Sequence, residues 1–175
     1  MSLLLDLNRF RGGVDRIERR FEAGVLGQPG DDFQVVTPVS LEAEVRKDAE
    51  KVRLVGRVEG AIELTCSRCL EPFPVPVNVP FDLLFLPAVG PETTSEDREL
   101  GEEDTGVSFY HEDVIDLGEV IREQFYLALP MKPLCREDCA GLCPVCGINK
   151  NREACSCEST WVDPRMEPLR RLKSE

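Results

Sequence analysis

The eight cysteines are the residues of this chain best suited to chemistry, and they occur as four close pairs. Two sulfurs so near in sequence can point at one centre, and two such pairs complete a tetrahedral four-thiolate site. This spacing favours zinc, while an iron–sulfur cluster and redox-active thiols remain alternatives. The pairs are Cys66-x2-Cys69, Cys135-x3-Cys139, Cys143-x2-Cys146 and Cys155-x-Cys157.

The spacing also predicts how eight ligands divide between two zinc ions. The last four cysteines lie within residues 143–157 and can close a compact site by themselves. The other four then form a second site that joins two distant segments. The expected sets are Cys66, Cys69, Cys135 and Cys139 for one ion, and Cys143, Cys146, Cys155 and Cys157 for the other. A rival division shares one zinc among Cys66, Cys69, Cys143 and Cys146.

Sites of this kind argue against an enzyme. Four protein sulfurs leave no coordination position for water or substrate, which is the property of structural rather than catalytic zinc. The sole histidine, His111, lies in an acidic stretch and is interpreted as a solvated loop residue. No glycine-rich phosphate loop is present. We therefore expect neither catalysis nor a small-molecule substrate.

The charge of the chain is concentrated in one window. Of the formal net charge of −12, residues 92–123 carry twelve acids against Arg98 and Arg122. A run of this kind is typical of a solvated, mobile loop, and it can also attract a basic partner. The N-terminal residues lack a secretory pattern and no apolar run has the length of a membrane span. We expect a cytoplasmic protein with reduced thiols and no membrane contact.

Three segments alternate apolar and polar residues, as strands with one buried face do. They run from Phe33 to Arg46, from Val52 to Cys66 and from Phe73 to Phe85. Short connections favour an antiparallel meander, with Cys66 and Cys69 at the tip of its second hairpin. Prolines at alternate positions of the third segment remove N–H donors from one side, so this strand is predicted to be an edge. These prolines are Pro74, Pro76 and Pro80.

Helices are predicted on both sides of these strands. Apolar residues at helical spacing indicate a short amphipathic helix within residues 13–26. Asp116 followed by Glu119 resembles a capping box that starts a second helix, which Pro130 ends. The first pattern consists of Val14, Ile17, Phe21 and Val25, and the second of Leu117, Val120, Ile121, Gln124 and Ala128.

The whole pattern predicts an α+β fold, in which a small antiparallel meander of three or more strands is packed by one main helix and followed by a cysteine-rich, zinc-binding segment. The expected parts are an N-terminal extension with a short helix (1–32), the sheet with its CxxC hairpin tip (33–90), an acidic flexible loop (91–114), the helix (115–130), and the zinc-binding segment with a basic tail (131–175).

Several strings carry a resemblance to a known family. They are CSRCLEPF (66–73), IDLGEVIREQFYLALPMKPLC (115–135), CAGLCPVCGINKN (139–151), CSC (155–157) and DPRMEPLRRL (163–172). Together they resemble the YceD family, which is named for large ribosomal RNA subunit accumulation. The resemblance implies a non-enzymatic role in large-subunit ribosome biogenesis, through 23S rRNA or a pre-ribosomal particle. Some members resemble this chain in the hairpin pair but lack most of the later cysteines, which implies that the two sites are separable.

An RNA-binding role requires a basic surface, and cations do cluster near the cysteines. An alternative is a protein-interaction module that docks a basic ribosomal protein or assembly factor without touching RNA. A third hypothesis is a thiol switch, which needs an exposed pair of lowered pKa. The candidate RNA- or partner-binding residues are Arg68, Lys132, Arg136, Lys150, Arg152, Arg165, Arg170, Arg171 and Lys173.

Overall fold

The structure is a computed structural model that describes residues 3–10, 12–28, 30–88 and 107–157. The chain divides into two compact units. Met1–Leu64 and Phe73–Met131 form the first, here called the sheet unit. Thr65–Pro72 and Lys132–Glu175 form the second, here called the cysteine unit. The part of the chain described contains no helix long and apolar enough to cross a membrane.

The sheet unit is built mainly from strands that follow one another along the chain. The strands are β1 (Leu4–Asp6), β2 (Gly13–Phe21), β3 (Gln34–Val35), β4 (Val39–Asp48), β5 (Lys51–Thr65), β6 (Pro72–Pro87), β7 (Val107–Tyr110) and β8 (Val114–Asp116). The helices are a 3-10 turn (Leu7–Arg9), α1 (Ala23–Leu26) and α2 (Leu117–Ala128).

The main sheet has the order β2-β4-β5-β6-β7, and β3 adds to β5. β2 and β5 each pair antiparallel with β4, with Ile17 opposite Ala43 and Val45 opposite Leu54. The alternating apolar residues of β4 and β5 all fall on one buried face, as their pattern predicted. β1 and β8 form a separate two-stranded antiparallel sheet.

The last strand of the sheet corrects the expectation of a purely antiparallel meander. β7 pairs with β6 in parallel and covers only Leu84–Pro87. A parallel neighbour needs a crossover connection, and residues 88–106 provide the length for one. Over the proline-rich half of β6, no described strand lies on the side away from β5. The predicted edge is therefore present, but only along that half.

Helix α2 covers the buried face of the sheet unit. Asp116 caps its start, because the Asp116 Oδ1 accepts hydrogen bonds from the N–H groups of Gly118 (2.7 Å) and Glu119 (3.4 Å). Phe125 is fully buried and comes close to Gly60, where an added Cβ would lie 3.0 Å from a Val39 methyl group. A Cβ at that point of β5 would make the Val39 side chain shift, so glycine permits the close packing.

An ion pair joins the loop before β3 to α2. The Asp31 side chain, 4% exposed, accepts hydrogen bonds from Arg122 Nη2 (2.7 Å) and from the Tyr126 hydroxyl (2.9 Å). The hydrogen bond from Arg122 holds the pKa of Asp31 below its usual value of 3.8. Phe33 packs edge-on against both Phe125 and Tyr126 beside this pair.

The N-terminal region differs from its prediction. Residues 13–21 form strand β2 and not an amphipathic helix, and the helix that does occur, α1, has only four residues. Ile17 and Phe21 are buried, whereas Val14 is 62% and Val25 52% exposed. A separation of four residues places two side chains on one face in a strand as well as in a helix. The first 32 residues thus supply strands to both sheets and are not an extension.

The predicted acidic loop and the basic tail are described only in part. Within the loop predicted for 91–114, the described residues contain β7 and the first residue of β8. The remainder, 91–106, lies outside the described residues. So do Arg165, Arg170, Arg171 and Lys173 of the basic tail.

Candidate metal centre

Two turns of the cysteine unit have the same backbone geometry. In the first, the Cys66 carbonyl accepts a hydrogen bond from Leu70 N–H (3.0 Å), and Cys66 N–H donates to the Glu71 carbonyl (2.9 Å). In the second, Cys143 accepts from Gly147 N–H (2.9 Å) and donates to Ile148 (2.8 Å). We call these turns knuckle 1 (residues 66–71) and knuckle 2 (residues 143–148). Each presents both of its cysteines in the same way.

The knuckles differ at the position that follows the second cysteine. The position after the second cysteine has a positive φ in both, 58° at Leu70 and 75° at Gly147. Glycine adopts this conformation without steric cost, but leucine does not. Leu70 is also 62% exposed, so burial does not offset that strain.

Knuckle 1 gathers the first thiol cluster. The connection between β5 and β6 carries Cys66 and Cys69, as predicted for the hairpin tip. Ser67 N–H donates to the Pro133 carbonyl (2.9 Å), which holds the segment after α2 beside the tip. The Cys66 and Cys139 sulfurs are then 3.8 Å apart, and those of Cys69 and Cys135 are 3.7 Å apart.

Knuckle 2 gathers the second cluster from a single stretch of chain. Leu142 pairs with Asn149 in an antiparallel bridge, and Lys150 N–H donates to the Gly141 carbonyl (2.9 Å). These contacts fold the segment back so that Cys155 and Cys157 reach the knuckle. Within each cluster all four sulfurs lie within 4.8 Å of one another. The predicted division of the eight cysteines is confirmed, and the rival set of Cys66, Cys69, Cys143 and Cys146 is wrong.

The spacing of the sulfurs fits a tetrahedral metal ion. Zinc–sulfur bonds of about 2.3 Å imply sulfurs about 3.8 Å apart at the corners of a tetrahedron. The Cys66–Cys139 and Cys69–Cys135 sulfur distances of the first cluster match this separation. All eight cysteines are free, so the clusters are thiol sets and not disulfides. The geometry shows two sites that could hold metal ions.

Neighbouring thiols in each cluster oppose one another's ionisation. The Cys69 N–H lowers the pKa of Cys66 to about 6, and the Cys146 N–H does the same for Cys143, also to about 6. Burial, followed by the neighbouring thiols, raises the pKa of Cys135 to about 12. Interaction with Cys146 raises that of Cys157 to about 12. Four thiolates therefore need a bound cation to coexist at neutral pH.

Asn151 is a functional residue that the sequence reasoning missed. Its Nδ2 donates to the Cys139 sulfur (3.3 Å), and its Oδ1 accepts from Ala140 N–H (2.8 Å) and Arg136 Nη2 (2.6 Å). Burial raises the pKa of Cys139, but hydrogen bonds led by that of Asn151 bring the pKa below its usual value. Asn151 lies in sequence between cysteines of the second cluster, so one side chain connects the two sites. Its place in the GINKN string was the available signal.

Three candidate RNA-binding arginines have partners inside the cysteine unit. Arg68 donates to the carbonyls of Cys139 (2.9 Å) and Glu137 (3.2 Å). Arg136 contacts Asn151 and Asp138, and Arg152 pairs with Glu71 (2.8 Å). Lys132 and Lys150 are exposed, and neither has a side-chain partner among the described residues. The structure therefore brings the arginines to the clusters and leaves the two lysines available.

The part of the chain that contains the site matches a known protein family. Residues 54–173 match the family described as large ribosomal RNA subunit accumulation protein YceD. That span is more than half of the chain and contains both thiol clusters. The chain belongs to the YceD family. The resemblance drawn from the sequence is thereby confirmed.

Curated relatives of this YceD-family chain come from distant organisms. An uncharacterized protein of Mycobacterium tuberculosis is 34% identical over 132 residues, covering 75% of this chain and 60% of that protein. The chloroplastic large ribosomal RNA subunit accumulation protein YCED homolog 1 of Arabidopsis thaliana is 29% identical, covering 82% and 51%. The uncharacterized protein YlbN of Bacillus subtilis is 24% identical, covering 86% and 83%.

The chain thus spans about half to three fifths of the length of these mycobacterial and Arabidopsis relatives. No solved structure matches the chain at a significant level.

Proposed function

We propose that this chain is a non-enzymatic, zinc-binding factor of large-subunit ribosome biogenesis that supports the processing or accumulation of 23S rRNA. The observation that carries the proposal is the family match over residues 54–173, which includes both thiol clusters. The Arabidopsis relative is named for accumulation of large-subunit ribosomal RNA. We extend that role to this chain.

The proposed metal is zinc, with one ion in each cluster. Sets of four cysteines at these spacings suit zinc, and ions held by four sulfurs have no open position for a substrate. The ions would thus stabilise the fold and not catalyse a reaction. To test this, the purified chain is loaded with zinc and the metal bound per chain is measured by mass spectrometry. Two zinc ions per chain are expected. A visible charge-transfer spectrum from bound iron would contradict the proposal.

Contact with rRNA is proposed for the free cations of the cysteine unit. Lys132 and Lys150 are exposed and can reach phosphate without breaking a contact in the described structure. The tail residues Arg165, Arg170, Arg171 and Lys173 remain candidates from the sequence. Binding through such groups should weaken steeply with salt.

Crosslinking in cells, with the bound RNA and proteins both identified, tests the ribosomal role. Large-subunit rRNA should be recovered with the wild-type chain. Replacing Lys132 and Lys150 together by Ala should reduce recovery, whereas Arg20→Ala with Lys51→Ala, at two exposed cations of the sheet unit, should not. Recovery of RNA unrelated to the ribosome would contradict the proposal.

A second candidate function is docking of a basic ribosomal protein or assembly factor. It is favoured because Arg68, Arg136 and Arg152 are already engaged within the cysteine unit, while residues 92–123 carry −10 of the chain's formal net charge of −12. Copurification separates the candidates. rRNA that survives high salt supports direct contact, and protein that survives nuclease supports docking. In either case we propose a cytoplasmic protein without membrane contact.

A further inference from the structure

A groove beside α2 combines an apolar floor with an acidic rim. It has a volume of about 360 Å³ and lies within the sheet unit. Phe85 and Val120 form part of its floor, and Phe109 lies at its margin. The polar lining includes His111 and Asp116, and the acidic rim is formed by the two exposed carboxylates of α2, Glu119 and Glu123. We call it the β7–α2 groove.

The apolar part of the groove is unusually open to solvent. Phe109 of β7 is 62% exposed and Leu4 of β1 is 53% exposed, although both line the groove. Phe85 and Val120 beneath them are 5% and 3% exposed. Large apolar side chains grouped at a concave site, rather than scattered singly, indicate a surface that a partner covers.

Among the described residues, no lysine or arginine pairs with the acidic rim. Glu119 and Glu123 are one helical turn apart, a spacing at which like charges repel. Neither forms an ion pair with a described residue, and the groove has no lysine or arginine among its described lining residues. The presence of an acid at position 119 is explained by its place in the first turn of α2, where acidic residues are favoured. The same preference does not explain Glu123.

We propose that the β7–α2 groove binds a segment of a partner protein in which lysine or arginine side chains alternate with apolar ones. The apolar side chains would cover Phe109 and the groove floor, and the cations would pair with Glu119 and Glu123. Carboxylates repel phosphate, which disfavours RNA. The same repulsion disfavours residues 91–106 of this chain, whose charge is strongly negative, and a second copy with its net charge of −12. The inference deepens the docking candidate above and rests on it.

The test uses the full chain and a short fluorescent peptide of alternating lysine and leucine. Glu119→Gln combined with Glu123→Gln should weaken binding about tenfold, the size expected for losing two exposed ion pairs. Phe109→Ser should weaken it by a similar factor, about tenfold, because apolar contact is lost. Phe109 and both glutamates are exposed, so these variants should keep the wild-type thermal transition.

A matched control removes two negative charges from a part of the sheet unit outside the groove. Glu18 and Glu22 are exposed acids of the sheet unit that do not line the groove. Glu18→Gln with Glu22→Gln should leave the affinity within about twofold, as for surface charges remote from a binding site. A peptide of alternating lysine and serine should bind weakly to the wild type. NMR signals of Phe109 and Val120 should shift on titration.

Several outcomes would overturn the proposal. Equal peptide affinity for the groove and control variants would do so, as would binding of an RNA oligonucleotide with shifts of the same signals. Concentration-dependent shifts with dimers in sedimentation would assign the groove to a second copy. A rise in peptide affinity when the acids of residues 91–104 are replaced by Asn and Gln would assign it to the chain itself. None of these results bears on the recovery of rRNA in cells, so failure here is distinguishable from failure of the ribosomal role.

Discussion

The two units of this chain are stabilised by different means. The sheet unit has a continuous core of buried aliphatic and aromatic residues from β2, β4, β5, β6 and α2. In the described part of the cysteine unit, the buried apolar residues are all cysteines: Cys66, Cys69, Cys139 and Cys143. So little apolar surface cannot offset the entropy of ordering a chain. The cysteine unit therefore depends on the metal ions that its thiol clusters could hold, and the sheet unit does not.

The two thiol clusters repeat this contrast on a smaller scale. Cluster 1, formed by Cys66, Cys69, Cys135 and Cys139, joins segments that lie far apart in the sequence. Cluster 2, formed by Cys143, Cys146, Cys155 and Cys157, closes one short segment. An ion in the first cluster therefore fixes a long-range contact, and an ion in the second fixes a local turn.

Removing the metal should have the largest effect of the changes considered, and it should affect the cysteine unit but not the sheet unit. We expect a strong chelator to expose the amides of residues 132–157 to hydrogen exchange, because thiols without a cation repel on ionisation and have no core behind them. The amides of β4 and β5 should stay protected. Mass spectrometry of exchange measures both regions at once. Equal loss of protection in the two units would refute the comparison.

Serine substitutions at equivalent cysteines of the two knuckles should raise hydrogen exchange in different parts of the chain. Cys69→Ser should break the contact between the β5–β6 hairpin tip and residues 132–139, while cluster 2 should keep its ion. Cys146→Ser should raise exchange only within residues 143–157 and leave cluster 1 loaded. Each variant should retain one zinc, measured by metal analysis alongside exchange. Loss of both ions in Cys146→Ser would show that the clusters are not separable.

Within the sheet unit, the Asp31–Arg122 pair should matter independently of metal. Asp31→Asn should lower the free energy of unfolding by about 2 kcal/mol at neutral pH, because a buried charge-assisted hydrogen bond is lost. The folded pKa of Asp31 lies below 3.8, so its stabilisation is present above that pH and is lost as the pH falls through the folded pKa. Urea unfolding followed by circular dichroism at several pH values measures this.

A matched control is available on the surface of the same unit. Arg53 and Asp82 are also joined by two short hydrogen bonds, but their side chains are 55% and 49% exposed. Asp82→Asn should have too small an effect to resolve, because solvent screens exposed pairs. A loss as large as that of Asp31→Asn would mean that burial does not distinguish the two pairs.

The smallest effect expected distinguishes the two knuckles. Gly147→Leu should destabilise the metal-loaded cysteine unit by about 1 kcal/mol, since leucine is disfavoured at positive φ. Leu70→Gly should leave the stability of the metal-loaded cysteine unit nearly unchanged or raise it slightly. The relief of backbone strain is opposed by the greater freedom of glycine in the unfolded chain. Competition with a chromogenic zinc chelator compares the variants. A larger loss from Leu70→Gly would show that Leu70 makes a stabilising contact.

Much of the site could be predicted from the sequence because ligand spacing is a local property. Cysteine pairs separated by one to three residues imply knuckles, and the short span of residues 143–157 singles out one cluster. The partners of Cys66 and Cys69 then follow by elimination. The GINKN string pointed to the neighbourhood of Asn151, but its contact with Cys139 could not be predicted, since that contact exists only after both segments fold.

The strands of the central sheet were predictable because β4, β5 and β6 alternate cleanly over many residues. β2 was not, because Ile17 and Phe21 fit both a helix and a strand, and pairing with β4 decided between them. β1, β7 and β8 have three or four residues each, too few for a pattern. The parallel pairing of β7 depends on a crossover that composition does not reveal.

The proline-rich half of β6 also constrains how this chain can associate with other proteins. An exposed strand edge normally templates backbone pairing with another chain, which leads to fibres as readily as to complexes. Pro74, Pro76 and Pro80 cannot donate, so an incoming strand would find no N–H donor at three of the four alternate positions from 74 to 80. This edge can therefore remain open to solvent at high protein concentration without promoting aggregation, and recognition along it has to use side chains.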